Sequence, residues 1–230
     1  MLQEQYDIAI VGGGIGGLMC AWRLTEKCPD ASVVIFEKGA DLKDRRCPIV
    51  AGKSPKCVHC PSCAIMEGLA GAGAFSDGKY IISHEYGGWL PEFMPNDTVV
   101  SYIEQADKIL VSFGATTERF QPNDELKRVC LEHDLHMQQA VVKHLGTDAN
   151  LETMGRMVEA LRKRCTIITR ADVQDVDADT HNIKVHMPDG EKTYKADRVI
   201  FAVGRAGSGF FTKWCKSNKV RMQSNQVDVG

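Results

Sequence analysis

The sequence has no long run of basic residues and no apolar stretch near the length of a membrane-spanning helix. Its 230 residues include 28 lysines and arginines against 30 aspartates and glutamates, which gives a formal net charge of −2. Nucleic-acid-binding domains usually concentrate basic residues, and a membrane span needs about 20 consecutive apolar residues. We therefore expect neither a nucleic acid nor a membrane as a partner.

The N-terminal sequence MLQEQYDIAIVGGG also lacks the basic start, the long apolar core and the small-residue cleavage site of a secretory signal. The cysteines number nine, an odd count. In a chain without an export signal, cysteines are expected to be thiols or ligands in a reducing compartment, not a disulfide framework. The sequence therefore predicts a cytoplasmic protein, long enough to bury a core without disulfides.

The chain opens with a strand, a glycine-rich turn, a helix and a second strand. Apolar and β-branched residues predict buried strands at 6–11 and 32–38, and apolar residues at helical spacing predict a helix over 15–28. Two strands joined by a helix form a βαβ unit, in which the strands are parallel and the crossover is right-handed.

Gly12, Gly14 and Gly17 match the pattern G-x-G-x-x-G between the first strand and the helix. The first glycine permits a tight turn, the second lets a pyrophosphate approach the backbone, and the third allows close packing of helix and strand. Glu37 ends the second strand about 20 residues later, where a carboxylate accepts hydrogen bonds from a ribose diol. The pattern predicts a dinucleotide site, and a glycine-rich turn without a ligand is the alternative. The cofactor-binding residues expected here are Gly12, Gly14, Ile15, Gly16, Gly17, Glu37 and Lys38.

The rest of the chain does not continue with regular βα units. Residues 39–95 show little hydrophobic periodicity, and such a long irregular stretch usually has a functional role. Asn96 or Asp97 is expected to cap the first of the later helices. We find no clear element after residue 204. The predicted helices are 99–113, 123–134 and 151–164, and the predicted strands are 135–142, 165–169, 171–178, 182–187, 192–197 and 198–204, with 171–197 forming an antiparallel meander.

This organisation favours FAD over NAD, because an NAD-binding domain usually continues with regular βα units. An NAD(H)-only dehydrogenase remains the alternative enzyme. The catalytic residues cannot be named from the sequence. Arg45 and Arg46 follow the Glu37 strand, where they would pair with the pyrophosphate or border the adenine, or form an exposed pair.

The stretches DIAIVGGGIGGLMCAWRL, VVIFEKG, RRCP, GLAGAGAFSDGK, KHLGTD and ADRVIFAVGR together resemble a bacterial and archaeal family of FAD-dependent, or NAD(FAD)-utilising, dehydrogenases. The resemblance implies a flavoprotein of the glutathione reductase class that transfers a hydride through FAD to or from a small-molecule substrate, with NAD(P)H as a further candidate partner. Such flavoproteins continue beyond this length, so we expect the N-terminal part of a longer protein or a shortened member. A truncated, non-catalytic domain is the third interpretation.

The fold class predicted is α/β: a Rossmann-like FAD-binding domain with a parallel sheet, a β-meander crossover and an inserted helical region. Residues 1–83 and 166–230 are expected to form the FAD-binding domain, and residues 84–165 the inserted region. By resemblance, a loop with Gly71, Gly73 and Ser76 reaches the flavin. The resemblance also places Val173 beside the adenine, and Ala202 and Gly204 at the end of a strand that runs up to the cofactor.

Two further side chains have both a functional and an ordinary interpretation. Lys79 would place a positive charge near the flavin, or it is an exposed lysine after a turn formed by Asp77 and Gly78. His144 would be an acid or base on the substrate side, or an ordinary structural histidine.

The cysteines between residues 47 and 63, which precede the loop with Gly71, Gly73 and Ser76, allow three interpretations. Cys57, Cys60 and Cys63 have the spacing C-x-x-C-x-x-C, and Cys47 precedes them by ten residues. Four thiolates could hold zinc or an iron–sulfur cluster. A pair of them could exchange electrons with the flavin. The third interpretation is unconnected thiols, and on it we expect no resident metal.

Overall fold

The computed structural model describes residues 4–85, 88–121, 123–137 and 140–224. It is a mixed α/β structure in which the central strands of the main sheet are parallel, as predicted. The strands are β1 (Gln5–Val11), β2 (Val33–Glu37), β3 (Lys79–Ile82), β4 (Val141–His144), β5 (Thr166–Thr169), β6 (Asp172–Val176), β7 (Asn182–Met187) and β8 (Gly190–Phe201). The helices are α1 (Ile15–Lys27), α2 (Asn96–Ser112), α3 (Asp124–Glu132), α4 (Thr147–Arg162) and α5 (Ser208–Ser217).

The chain divides into two compact units. The first unit comprises Met1–Ala72 and Ala160–Gly230, and the second comprises Gly73–Glu159. The first unit contains the predicted βαβ pattern and the meander, and the second contains α2, α3 and the two-stranded antiparallel sheet of β3 and β4.

The sheet of the first unit has the order β5-β2-β1-β8-β7-β6. The strands β5, β2, β1 and β8 are parallel, while β6, β7 and β8 are antiparallel neighbours. Only residues 170–171 separate β5 from β6, although these strands stand at opposite ends of the order. The meander therefore crosses over the parallel strands to reach the other end of the sheet. The rings of Phe36 on β2 and Tyr194 on β8 lie 4.9 Å apart.

The prediction of separate strands at 192–197 and 198–204 was wrong, because β8 is a single strand of 12 residues. Its first half pairs with β7, and from Lys195 onward it also pairs with β1. The polar residues Asp197 and Arg198, where the two predicted strands meet, are exposed on a strand that continues through them. One strand thus links the meander to the parallel sheet.

The expectation of no element after residue 204 was also wrong. The helix α5 follows a turn at residues 204–207, and its Cys215 is buried. The indole N–H of Trp214 donates to the carbonyl of Val176 at 2.6 Å, and the Trp214 ring lies 4.7 Å from that of Phe201. The helix lacks a side-chain cap, so its start has no sequence signal, and aromatic packing on the meander stabilises it.

In the second unit, β3 and β4 form a two-stranded antiparallel sheet, of which the sequence did not predict β3. Residues 138–139 of the predicted strand 135–142 lie outside the described residues. The helix α2 begins at Asn96 and its N-cap is Pro95, so the predicted cap was wrong. The buried ammonium of Lys143 on β4 lies 2.7 Å from a carboxylate oxygen of Asp107, which offsets the cost of burying its charge.

Candidate functional site

The glycine-rich turn lies between the C-terminal end of β1 and the start of α1. Gly12 has φ +110°, and a β-carbon there would stand 2.4 Å from the carbonyl oxygen of Ala202. A β-carbon on Gly17 would stand 2.0 Å from the carbonyl oxygen of Gly12. These two glycines are required by backbone packing, since real contacts of that length would displace the turn or the strand.

Gly14 differs, because its surroundings are open. It is the N-cap of α1, and the nearest atom to an added β-carbon is the Cα of Gly71 at 3.9 Å. No side chain caps this helix end, and no acidic residue lies in its first turn. The first N–H groups of a helix lack intrahelical partners and have a partial positive charge, so this end of α1 suits an anion. Gly16 borders open space, and Ile15 is 43% exposed.

Glu37, the last residue of β2, places its carboxylate at the glycine-rich turn. One carboxylate oxygen accepts from the N–H of Gly13 at 2.7 Å, and the other accepts from the N–H of Gly39 at 2.8 Å. The residue is 7% exposed. Each carboxylate oxygen has a second lone pair, so ribose hydroxyls can still be accepted. Glu37 therefore both orders the turn and offers an acceptor at its edge.

The two arginines after β2 have different positions. Arg45 is buried, and its guanidinium donates to backbone carbonyls of the loop at residues 64–71. Arg46 is exposed, and its guanidinium donates to the carbonyl oxygen of Arg45 at 3.2 Å. Of the pair, only Arg46 has the exposure that a direct ligand contact requires.

Several other predicted residues surround the turn. The N–H of Ala202 donates to the carbonyl of Val11 at 2.8 Å, which places Ala202 against Gly12. Val173 is buried in the core, and two residues earlier the N–H of Ala171 donates to the carbonyl of Glu37 at 2.9 Å. This hydrogen bond brings the start of the meander to the end of β2.

Lys38 and Gly204 have more exposed surroundings. The ammonium of Lys38 lies 3.7 Å from a carboxylate oxygen of Asp172, and its side chain is 57% exposed. Gly204 has φ +58° in the turn after β8, and an added β-carbon there would meet nothing within 4 Å. The positive φ accounts for glycine at this turn without a ligand. A role for either residue in cofactor binding stays a prediction.

Gly73 and Ser76 lie in the second unit, where Asn150 orders their loop. The side-chain amide of Asn150 donates to the carbonyl of Gly73 at 2.7 Å, and its oxygen accepts from the hydroxyl of Tyr80 at 2.7 Å. Burial, with a smaller contribution from the charge of Asp107, raises the pKa of Tyr80 to about 12. The tyrosine hydroxyl therefore remains protonated and keeps donating to Asn150 at neutral pH.

Lys79 and His144 face the same carboxylate in the second unit. The ammonium of Lys79 lies 3.2 Å from an oxygen of Asp77, and the imidazole of His144 lies 3.8 Å from it. Their side chains are 64% and 50% exposed. These positions fit the ordinary interpretation of both residues as surface side chains.

The four cysteines between residues 47 and 63 do not form a ligand set in the structure. In the described part of the chain, no three His, Cys, Asp or Glu side chains are placed to hold a metal ion. Cys57 is exposed, while Cys47, Cys60 and Cys63 are partly buried. The prediction that this loop has no resident metal remains to be tested by elemental analysis.

The sequence analysis did not identify two glycines, Gly13 and Gly39, whose N–H groups hold the carboxylate of Glu37 at the turn. Gly13 supplies an N–H to Glu37, and Gly39 supplies the other. A β-carbon on Gly39 would stand 2.5 Å from the backbone of Gly68, which shows how closely the irregular loop approaches β2. The available signals were the second glycine of the GGG run and the glycine after Glu37-Lys38.

Among the described residues, no helix combines the length and the apolar character needed to cross a membrane.

Comparisons with known proteins agree with the fold of the first unit. Residues 10–43, which include the glycine-rich turn and Glu37, match the model of the NAD(P)-binding Rossmann-like domain family. A stretch of 41 residues is 44% identical to the FAD-containing monooxygenase EthA of Mycolicibacterium smegmatis, and it covers 18% of this chain and 8% of that protein.

Two solved structures share the architecture over most of the chain. THI4 of Thermovibrio ammonificans superposes with a TM-score of 0.50 at 16% identity, over 93% of this chain and 63% of that one. The 3-ketosteroid-delta4-(5alpha)-dehydrogenase of Rhodococcus jostii superposes with a TM-score of 0.52 at 14% identity, over 87% of this chain and 46% of that one. The chain therefore spans less than two thirds of the length of these relatives, and its fold is a Rossmann-like α/β fold.

Proposed function

We propose that this chain binds FAD and forms the cofactor-binding part of an oxidoreductase. The observation that supports this most directly is the buried carboxylate of Glu37, which is hydrogen-bonded to the glycine-rich turn beside the uncapped start of α1. A carboxylate suits the ribose hydroxyls, and the helix N-terminus suits the pyrophosphate. The two groups are adjacent, as the ADP half of a dinucleotide requires.

The residues of the turn fit that half of the cofactor. Gly14 and Gly16 leave room for phosphate groups, and Ile15 follows the N-cap with its own N–H at the start of the helix. Ala202 is hydrogen-bonded to Val11 at the end of β1, and Ala171, two residues before Val173, is hydrogen-bonded to Glu37 at the end of the neighbouring strand β2. Lys38 and Arg46 are proposed as further contacts from their position after β2, and Gly73, Ser76 and Gly204 are proposed on the resemblance to flavoproteins.

FAD is favoured over NAD because a β-meander follows β5, the third parallel strand along the chain, in place of further βα units. The names of the relatives agree, since EthA is described as FAD-containing and the Rhodococcus jostii protein as a dehydrogenase. When bound, FAD supplies hydride-transfer chemistry, and the protein contributes binding and orientation. We further propose a dehydrogenase or reductase of the glutathione reductase class that acts on a small molecule.

A nicotinamide dinucleotide is the second candidate ligand, because the matching family model is described as NAD(P)-binding. Both cofactors contain an ADP half, so the glycine-rich turn and Glu37 alone do not distinguish them.

Titration of the flavin-free chain with FAD tests the proposal. We expect FAD to bind at one equivalent per chain, with quenching of its fluorescence and a shift of its visible absorption bands. A parallel titration with NAD⁺ should show binding that is at least about ten-fold weaker, a difference of about 1.4 kcal/mol. Tight binding of NAD⁺ without uptake of FAD would replace this proposal by the nicotinamide alternative.

A further inference from the structure

The guanidinium of Arg45 is a buried cation that the proposed function does not use. Arg45 is 3% exposed and follows a short 3-10 helix, Leu42–Asp44. Burial lowers the pKa of Arg45, while the nearby carboxylate of Glu37 and thiol of Cys63 raise it. A guanidinium stays protonated in proteins, so a full positive charge lies inside the first unit close to Glu37.

Four hydrogen bonds of Arg45 lead to one loop. Its planar guanidinium presents five donors in a fixed arrangement, and four backbone carbonyls accept from them. The two carbonyls at the far end of the loop, those of Leu69 and Gly71, share the same nitrogen. The four bonds are Nε to Ala64 at 2.9 Å, Nη2 to Ile65 at 2.8 Å, Nη1 to Leu69 at 2.9 Å and Nη1 to Gly71 at 2.7 Å.

The end of that loop, the Gly68–Gly71 segment, lies directly against the glycine-rich turn. The N–H of Ala70 donates to the carbonyl of Gly13 at 2.8 Å. The side chain of Leu69 is fully buried, and its Cδ1 would stand 2.9 Å from a β-carbon on Gly13. A β-carbon on Gly71 would stand 3.2 Å from the Cα of Gly14 and 3.8 Å from the N of Ile15. The segment thus borders the first N–H groups of α1.

The backbone of the Gly68–Gly71 segment is unfavourable on its own. Gly68, Ala70 and Gly71 have φ values of +120°, +70° and +67°. The left-handed conformation disfavours alanine, so other contacts must hold Ala70 in it. Arg45 supplies such contacts on both sides of Ala70, through the carbonyls of Leu69 and Gly71.

We propose that Arg45 is a positioning residue for the dinucleotide site: it holds Gly71 at the start of α1 and thereby sets the space in which the pyrophosphate binds. The inference rests on the proposed function. It replaces the interpretation in which Arg45 pairs with the pyrophosphate itself, because its donors are directed at the loop carbonyls. Arg45 is thus required for phosphate binding without contacting the phosphate.

The test compares three ligands that differ at the pyrophosphate. FAD and ADP contain it, and adenosine does not. In Arg45→Lys, which keeps the charge but cannot supply four donors in a plane, the dissociation constants for FAD and ADP should rise about ten-fold. The affinity for adenosine should stay within about two-fold of the wild-type value, and this unequal loss is a readout that general destabilisation would not produce.

A second variant, on the loop, perturbs the same contact between Arg45 and the Gly68–Gly71 segment. A β-carbon at Gly68 would stand 2.7 Å from the Cδ of Arg45, so Gly68→Ala should displace the guanidinium and give the same pattern of losses. Arg23→Lys is the matched control, because Arg23 is an exposed arginine of α1 paired with Glu26 at 2.7 Å. This control should bind all three ligands as the wild type does.

The outcomes separate the two proposals. If the wild-type chain binds neither FAD nor ADP, the proposed function fails. If it binds both, and Arg45→Lys and Gly68→Ala, folded by circular dichroism, also bind both with wild-type affinity, only the positioning role is overturned. Equal losses for FAD, ADP and adenosine in these variants would likewise overturn it, because Arg45 would then act on the whole site and not on the pyrophosphate.

Discussion

Gly14→Val is expected to abolish FAD binding and to leave the chain folded. The backbone of Gly14 has φ −73° and ψ −178°, an extended conformation that valine adopts readily. The nearest atom to a new β-carbon is the Cα of Gly71 at 3.9 Å, an ordinary van der Waals contact, so the β-carbon itself causes no clash. Its methyl groups would instead occupy the open space in front of the first N–H groups of α1, where the pyrophosphate is proposed to bind.

The expected loss of FAD affinity is at least about 100-fold, or about 2.8 kcal/mol. The free energy of unfolding should fall by about 1 kcal/mol, because valine is a poorer N-cap residue than glycine. Titration calorimetry with FAD and urea unfolding measure the two quantities separately.

Gly17→Ala is the informative comparison, because a β-carbon there would stand 2.0 Å from the carbonyl oxygen of Gly12. This variant should lose FAD binding together with much more stability than Gly14→Val loses. A Gly14→Val protein that has a native circular dichroism spectrum and retains FAD would remove the glycine-rich turn from the site.

Glu37→Arg is expected to weaken FAD binding by about 1–3 kcal/mol, because it removes the acceptor for the ribose hydroxyls and leaves polar groups unpaired. The structure adds a second effect, since the carboxylate of Glu37 also accepts from the N–H groups of Gly13 and Gly39. Loss of these two buried hydrogen bonds should lower the free energy of unfolding by roughly the same amount.

Two companion variants separate binding from stability. Glu37→Gln keeps the shape and one acceptor oxygen, so it should weaken FAD binding less than Glu37→Arg does. Glu191→Arg makes the same charge change at an exposed position of β8 and should alter neither quantity. Calorimetric affinities for FAD that are equal in the wild type and Glu37→Arg, with both proteins folded, would exclude Glu37 from the cofactor site.

The βαβ unit and the meander could be predicted from the sequence because their signals are local. Gly12 and Gly17 face backbone atoms of adjacent elements, and Glu37 ends the strand beside them. Apolar residues at strand and helix spacing surround these positions, so pattern and packing agree. The strand pairings of β1 with β2 and of β6 with β7 followed the prediction.

The supporting contacts of the site could not be predicted, because they depend on the path of an irregular loop. Arg45 and Gly71 are 26 residues apart, and no periodicity links them. The sequence placed both residues near the cofactor, but it could not show that one holds the other. The close approach of Gly39 and Gly68 could not be predicted for the same reason, because it depends on how the loop folds back to the end of β2.

The account has one central claim, that the glycine-rich turn and Glu37 recognise the ADP half of FAD. Competition between FAD, ADP and FMN tests it most directly, because FMN contains the flavin but lacks the ADP half. We predict that ADP displaces FAD from the 230-residue chain and that FMN, at the same concentrations, does not. Displacement by FMN but not by ADP would show that the flavin half alone determines binding, and it would contradict the site assigned to Gly14 and Glu37.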